Sequence, residues 1–215
     1  MTRDRTLGRF IALEGGEGAG KSTQARLLCD ALVARGIDTV LTREPGGTRL
    51  AEAIRALLLT DGDAPDLRTE ALLFAAARAD HVSRLIAPAL AAGKWVVCDR
   101  FVDSSRAYQG GGGGLPDADI LALHRIGSEA LLPDLTVLIE VDPQISAQRT
   151  AARDGDATDR IGGRDTQYHA RVDSAFDGFA RVEPGRFARI DGNGTPQETH
   201  AAIMAAIDAA GWVQS

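Results

Sequence analysis

The chain has 215 residues, with 24 lysines and arginines against 30 aspartates and glutamates and a formal charge of −6. That balance leaves no overall footprint for a nucleic-acid polymer, although a local basic pocket for a small phosphate is compatible with it. Cys29 and Cys98 are too few for a disulfide scaffold or a cysteine-rich zinc site, and no apolar run reaches membrane-spanning length; the expectation is one soluble α/β domain in a reducing cytosol, with no membrane partner.

The first apolar run, over 9–13, enters Gly15-x-x-x-x-Gly20-Lys21-Ser22, and a helical pattern follows over 21–35. Loops of this kind cradle phosphates: glycines let backbone N–H groups turn inward, a lysine reaches the outer phosphates, and an adjacent hydroxyl can take Mg²⁺. Gly15, Gly16, Glu17, Gly18, Ala19, Gly20, Lys21, Ser22 and Thr23 are therefore the expected contacts of a nucleoside triphosphate. An ordinary glycine-rich turn would account for the glycines but not for Lys21, Ser22 and Thr23 directly after them. Leu27, Leu28, Ala31 and Leu32 give the helix its apolar face, and Gly36 is placed to end it. A second buried strand over 37–42 completes a βαβ unit, which implies parallel strands.

Arg43-Glu44-Pro45-Gly46-Gly47 follows at that strand's carboxyl end. Proline and glycines make a stiff reversal there, at the sheet edge where ligands of such folds bind. A solvated surface ion pair on a turn is the competing reading. A short helix is expected over 49–59. A longer one is expected over 67–91, with Leu72, Ala76, Val82 and Ile86 as its buried stripe, spare apolar surface for a subunit interface, and Pro88 as a kink. Phe74 and Arg78 are four apart and share a face, so a ring and a guanidinium project together, able to stack on a base and hold a phosphate. A core phenylalanine beside a surface arginine would give the same spacing.

The strand over 95–98 ends in Asp99-Arg100-Phe101. A carboxylate there can orient Mg²⁺-bound water or accept from an arginine, and Arg100 can meet a transferred or accepting phosphate. Ser104-Ser105-Arg106-Ala107-Tyr108-Gln109 then runs into five glycines, 110–114, read as a movable wall with Tyr108 closing over a sugar.

The phosphate loop, Arg43 to Gly47, Asp99-Arg100-Phe101 and Ser104 to Gly112 together resemble the bacterial thymidylate kinases, over about residues 10–191. The resemblance implies a P-loop α/β fold with a five-stranded parallel sheet flanked by helices, a short lid at about 150–161, usually a homodimer, and ATP- and Mg²⁺-dependent conversion of dTMP to dTDP on the way to dTTP. It places Phe74 on the thymine ring, Arg78 at the base pocket and monophosphate, Arg43 and Arg100 on the acceptor phosphate, Ser105 and Gln109 in hydrogen bonds to the nucleotide, and Tyr108 below the deoxyribose. Glu14 resembles an acidic position near the metal and the transferred phosphate, and Lys21 and Ser22 keep their donor-side roles. In the family, a phosphate loop without an arginine goes with a lid that carries one; Glu17, Gly18 and Ala19 resemble that form, which implies Arg153 first as the lid arginine, with Arg149 and Arg160 as rivals.

Further elements are expected as a helix over 116–130, a strand over 135–141, a helix from 143, a helix through 171–179 and a strand over 187–190. In the final helix, Thr195 and Glu198 form a capping box and Pro196 takes the first helical position. Gly162 stands where the family has glutamate, with Asp165 a possible substitute. His81, His124, His169 and His200 form no compact metal pattern and read as surface or core-edge residues. A regulatory GTPase would carry Asn-Lys-x-Asp, which is absent. A kinase for another small molecule and a pure interaction protein remain as alternatives.

Overall fold

A computed structural model describes residues 8–60, 65–154 and 160–212, the side chains of residues 153 and 154 excepted. Five strands, β1 (Phe10–Glu14), β2 (Thr39–Arg43), β3 (Trp95–Asp99), β4 (Leu135–Glu140) and β5 (Phe187–Asp191), form one parallel sheet in the order β2-β3-β1-β4-β5. The most hydrophobic strands take the middle of that order. β1 is buried at every position, whereas β2, expected as a buried strand, lies at an edge with Leu41 exposed. Only the sheet order could say so, because an apolar run does not reveal how many neighbours it has.

The strand period of two divides the core. Ile11, Leu13, Val97, Val137 and Ile139 point to one face, covered by α1 (Lys21–Ala34) and α9 (Pro196–Ala209) through Leu28, Leu32, Ile203 and Ile207. Phe10, Ala12, Val96 and Cys98 point to the other, where Val82, Ile86 and Leu90 cover them. On that side α2 (Arg49–Leu59) packs on α3 (Leu67–His81) through Ala51, Ile54, Leu58 and Ala77. The capping box of α9 is present, with Thr195 accepting from the N–H of Glu198 and the Glu198 carboxylate accepting from the N–H of Thr195.

The long helix expected over 67–91 is continuous but not uniform. A π-helical turn, Val82–Ile86, separates α3 from α4 (Ala87–Ala91), just before Pro88. Proline has no N–H to donate four residues back, and a widened turn is one way for the backbone to absorb that loss. The buried stripe of α3 is not the expected one. Leu72 and Ala76 are exposed, while Glu70, Ala71, Ala77, Arg78 and His81 face inward. The inner face is partly polar, so large aliphatics misreport its direction.

The glycine run also differs from expectation. α5 (Val102–Ser105) leads into a second π-helical stretch, Arg106–Gly112, packed on α8 (Thr166–Val182). A β-carbon on Gly112 would stand 2.7 Å from the Tyr168 ring and 2.8 Å from Val172. At Gly111, Gly112 and Gly113 the glycines permit close approach of neighbouring side chains, whereas a β-carbon on Gly114 would meet nothing within 4 Å. α6 (Asp117–Ser128) and α7 (Pro143–Asp154) complete the helices, and Asp165 caps α8 by accepting from the N–H of Tyr168 at 2.7 Å. Asp165 thus meets the helix-start need that Gly162 leaves open. Among the described residues no helix is long and apolar enough to cross a membrane. Of the lid region expected at about 150–161, residues 155–159 and the side chains of residues 153 and 154 lie outside the described residues.

Candidate active site

Parallel pairing aligns three strand ends at one edge: Arg43 registers with Asp99, and Asp99 with Leu13. The ladder continues one residue further, with the N–H of Arg100 donating to Leu13 O and that of Glu44 to Asp99 O, each at 2.9 Å. Glu14, Glu44 and Arg100 therefore leave the sheet side by side. A cleft of about 640 Å³ opens there, lined at one end by the phosphate loop and at the other by Arg43, Glu44, Phe74, Arg78 and Gln109.

At the loop end, Gly15 and Gly18 adopt φ of 138° and 67°, and a β-carbon on Gly15 would sit 2.4 Å from Ile139 O. Only glycine lets the loop pass so close to β4. The N-terminus of α1 opens from Gly20 into the cleft, and its free N–H groups favour anions. Lys21 is nearly buried, with Nζ donating to Gly15 O at 3.1 Å and Gly16 O at 2.6 Å. Burial, and then the charge of Arg100, lower its pKa to about 8. The Ser22 hydroxyl donates to Asp99 Oδ2.

Glu14, expected beside the metal, is fully buried and absent from the cleft lining. Its Oε1 accepts from the N–H groups of Phe101 at 2.8 Å and Ser104 at 3.1 Å, and its Oε2 from the Ser104 hydroxyl at 2.6 Å. Both oxygens are committed to the start of α5. Burial first, and Asp103 next, push its pKa up to about 7. Asp99 instead meets Ser22. A hydroxyl and one carboxylate make a lean protein contribution, and no group of three His, Cys, Asp or Glu suited to a metal exists among the described residues. That donor set fits Mg²⁺, which takes one or two protein oxygens, substrate phosphates and waters.

Arg100 occupies the middle with φ of 70°. Its guanidinium donates to Ser104 Oγ (3.1 Å), Glu17 Oε1 (2.8 Å) and Tyr108 Oη (3.1 Å), and lies 4.8 Å from the centre of the Tyr108 ring. The left-handed backbone aims the side chain back over the phosphate loop, where Gly15 O accepts from it at 3.3 Å.

At the end away from the phosphate loop, Arg78 is buried and donates through Nε to Glu44 Oε2 at 2.7 Å and through Nη2 to Ser105 Oγ at 2.9 Å. The second Glu44 oxygen lies 3.0 Å from His81 Nδ1, and His81 Nε2 lies 2.7 Å from Thr42 Oγ1. A carboxylate only accepts, so Nδ1 carries a proton, and Nε2 shares its hydrogen bond with the threonine hydroxyl, which can donate or accept. His81 is thus interior, not surface, as is His124, whose Nε2–H donates to Leu131 O at 2.7 Å. Half-buried Phe74, with Ser105, Tyr108 and Gln109, lines the cleft beside this pair. Arg43 is exposed and paired with Glu52 at 3.2 Å.

The rival lid arginines are spoken for. Arg149 donates to Gly192 O at 2.9 Å and Gly194 O at 3.0 Å at the donor end, and Arg160 donates to Leu58 O at 3.0 Å. The side chain of Arg153 lies outside the described residues. Sequence reasoning missed Glu44 and His81 as supports, Glu70 beneath Gln109, and Arg55, which lines the cleft from α2. Spacing of four within one helix found Phe74 and Arg78. No such local signal links His81 to Glu44, 37 residues away.

Comparison with known proteins returns one family throughout. The family model described as Thymidylate kinase matches residues 13–203. The chain is 55% identical over 201 residues to a thymidylate kinase of Rhizorhabdus wittichii, covering 93% of this chain and 97% of that one. It is 48% identical over 202 residues to one of Chromohalobacter salexigens, covering 93% and 95%. The crystal structure of thymidylate kinase from Ehrlichia chaffeensis superposes with a TM-score of 0.77 at 32% identity, over 94% of this chain and 99% of that one.

Proposed function

The chain belongs to the thymidylate kinase family and transfers phosphate from ATP to dTMP, giving dTDP; from that premise we propose how its residues divide the work. ATP lies with its phosphates on Gly15 to Thr23, Lys21 leaving its loop carbonyls for the outer phosphates. dTMP lies at the other end, its base on Phe74, its phosphate toward Arg43 and Arg100, and its sugar against Tyr108. Arg78, Ser105 and Gln109 supply the polar contacts to the nucleotide. The observation that carries this division is the position of Arg100, held between the phosphate loop and the Phe74 pocket by Gly15, Glu17, Ser104 and Tyr108.

Ser22 and Asp99 would hold Mg²⁺, which when bound neutralises charge on the ATP phosphates. An acceptor oxygen of the dTMP phosphate forms a bond to the γ-phosphorus as the bond to the bridging oxygen breaks, and ADP leaves. Little covalent help is needed. Alignment along the cleft and neutralisation by Lys21 and Arg100 carry the rate, with Arg153 from the lid as a further cation. Glu14 acts at one remove by fixing the start of α5, from which Ser104 meets Arg100.

The exposed Leu50 and Leu57 of α2 and Leu72 of α3 support pairing with a second copy of the chain. Two free cysteines fit a reducing cytoplasm. The sheet with its two helix layers would serve as one catalytic domain, with the lid at about 150–161.

The test is a coupled phosphoryl-transfer assay with ATP, Mg²⁺ and a panel of nucleoside monophosphates. A clear preference for dTMP is expected, together with a loss of kcat of about 100-fold or more in Arg153→Ala. Preference for another acceptor would overturn the Phe74 and Tyr108 assignments, and unchanged kcat would remove Arg153 from the transfer step.

A further inference from the structure

Glu70, in the first turn of α3, has no exposure and no part in the phosphate site, yet side chains from two other segments converge on it. Its Oε2 accepts from Arg164 Nη2 at 2.6 Å and lies 3.0 Å from Arg160 Nη2. The Arg160 nitrogen is near but not aligned to donate. The other oxygen, Oε1, accepts from Gln109 Nε2 at 2.9 Å.

That last contact has a direction. An ionised carboxylate has no proton to give, so it meets the amide of Gln109 by its nitrogen and turns the amide oxygen the other way. A glutamine in an open pocket could present either end to a ligand, since its two ends differ little in shape. Gln109 is 1% exposed and borders the cleft beside Phe74 and Arg78, so it has little room to do both.

We propose that Glu70 is a specificity-determining positioning residue: by holding Gln109 through Nε2 it leaves the amide oxygen for the acceptor base, and the pocket takes a pyrimidine that carries N–H at ring position 3. Thymine has that proton. Cytosine has a lone pair there, which would face the lone pairs of the amide oxygen. The inference rests on dTMP being the acceptor. A site that accepts a hydrogen bond from one substrate and meets a lone pair on its competitor discriminates more strongly than shape alone allows. Arg164 and Arg160 neutralise Glu70 from the side away from Gln109, which makes an isolated carboxylate at this depth affordable.

The test is the ratio of kcat/KM for dTMP over dCMP in the full-length enzyme. Glu70→Gln keeps the volume but places a second amide against Gln109, so either sense of the contact is satisfied. The ratio is expected to fall at least about tenfold, chiefly through KM for dTMP, with KM for ATP unchanged. In a Gln109→Met background, the same Glu70→Gln change is expected to leave the ratio where Gln109→Met put it. Arg164→Met, which spares the carboxylate, is expected to lower the melting temperature and keep the ratio. A second measurement needs no variant at Glu70: the one side-chain amide proton of Gln109 that Glu70 accepts, followed by NMR in the wild-type protein, is expected to keep its hydrogen bond when dTMP binds. A wild-type ratio retained by Glu70→Gln, or loss of the Gln109–Glu70 hydrogen bond when dTMP binds, would overturn the inference. A wild-type enzyme with no preference for dTMP would overturn the acceptor assignment instead.

Discussion

Glu44 and Arg78 meet at 2.7 Å where each side chain is only 4% exposed, and His81 holds the free oxygen of the same carboxylate. Neither charge has water to fall back on. Removing one partner of such a pair strands the other and costs about 3–5 kcal/mol. Glu44→Ala is therefore expected to lower stability by that order in urea unfolding and to raise KM for dTMP, because Arg78 loses its orientation. His81→Phe, which removes one hydrogen bond to Glu44 and one to Thr42, is expected to cost less. Equal unfolding midpoints for wild type and Glu44→Ala would show that the pair supports nothing.

The carboxyl group of Glu14 gives stability a pH dependence of unusual sign. Burial raises its pKa from 4.5 to about 7, so the folded state holds the proton more tightly than the unfolded chain does. The stabilisation is present in full below 4.5 and is lost as pH rises through about 7, on the order of 3 kcal/mol if the whole shift is realised. Glu14→Gln keeps the shape and an acceptor for the N–H groups of Phe101 and Ser104. The difference in unfolding free energy between wild type and Glu14→Gln is expected to slope across this window. A flat difference from pH 4.5 to 7.5 would mean that Glu14 stays charged when buried.

Asp99 and Ser22 meet in the cleft, where the proposed function puts Mg²⁺, and Glu14 is buried away from it. Asp99→Asn is expected to raise the Mg²⁺ concentration needed for half-maximal activity and to lower kcat about 100-fold, with little change in KM for dTMP. Glu14→Gln is expected to leave the Mg²⁺ requirement near that of wild type. A Mg²⁺ titration of both variants checks the assignment, and the reverse ranking would return Glu14 to the metal.

Gly112 is packed, and space around it is short. Tyr168 cannot swing away from an added methyl group, since it is buried and its hydroxyl donates to Tyr108 O at 2.8 Å. Gly112→Ala is expected to destabilise by about 1–3 kcal/mol and to disturb Tyr108 through that same hydrogen bond. Thermal unfolding with and without dTMP measures both effects. Wild-type stability in Gly112→Ala would restore the view of this segment as a yielding wall.

Much of this was legible in order along the chain. The phosphate loop, the Thr195 capping box and the Phe74–Arg78 pair each complete themselves within a few residues, so neighbours in sequence carry the whole signal. Helix and strand positions followed from periodicity for the same reason. The direction of α3 did not, because its inward face holds Glu70, Arg78 and His81, and polar residues turn inward only when partners from elsewhere satisfy them.

Sequence alone therefore determined the nucleotide-binding loop, the alternation of strands and helices, and the family whose motifs recur in this order. Tertiary structure decided which partner each carboxylate meets. Ser22 finds Asp99 across 77 residues, Gln109 finds Glu70 across 39, and Glu14 turns from the cleft to the start of α5, 87 residues on. The partners of Asp99 and Glu14 are chosen by strand order and register at the sheet's carboxyl edge, where β1, β2 and β3 end side by side, and that of Glu70 by the packing of α3 on the π-helical stretch Arg106–Gly112. Register is a long-range property, set by how the two faces of the sheet bury their apolar side chains, and no local pattern of residues contains it.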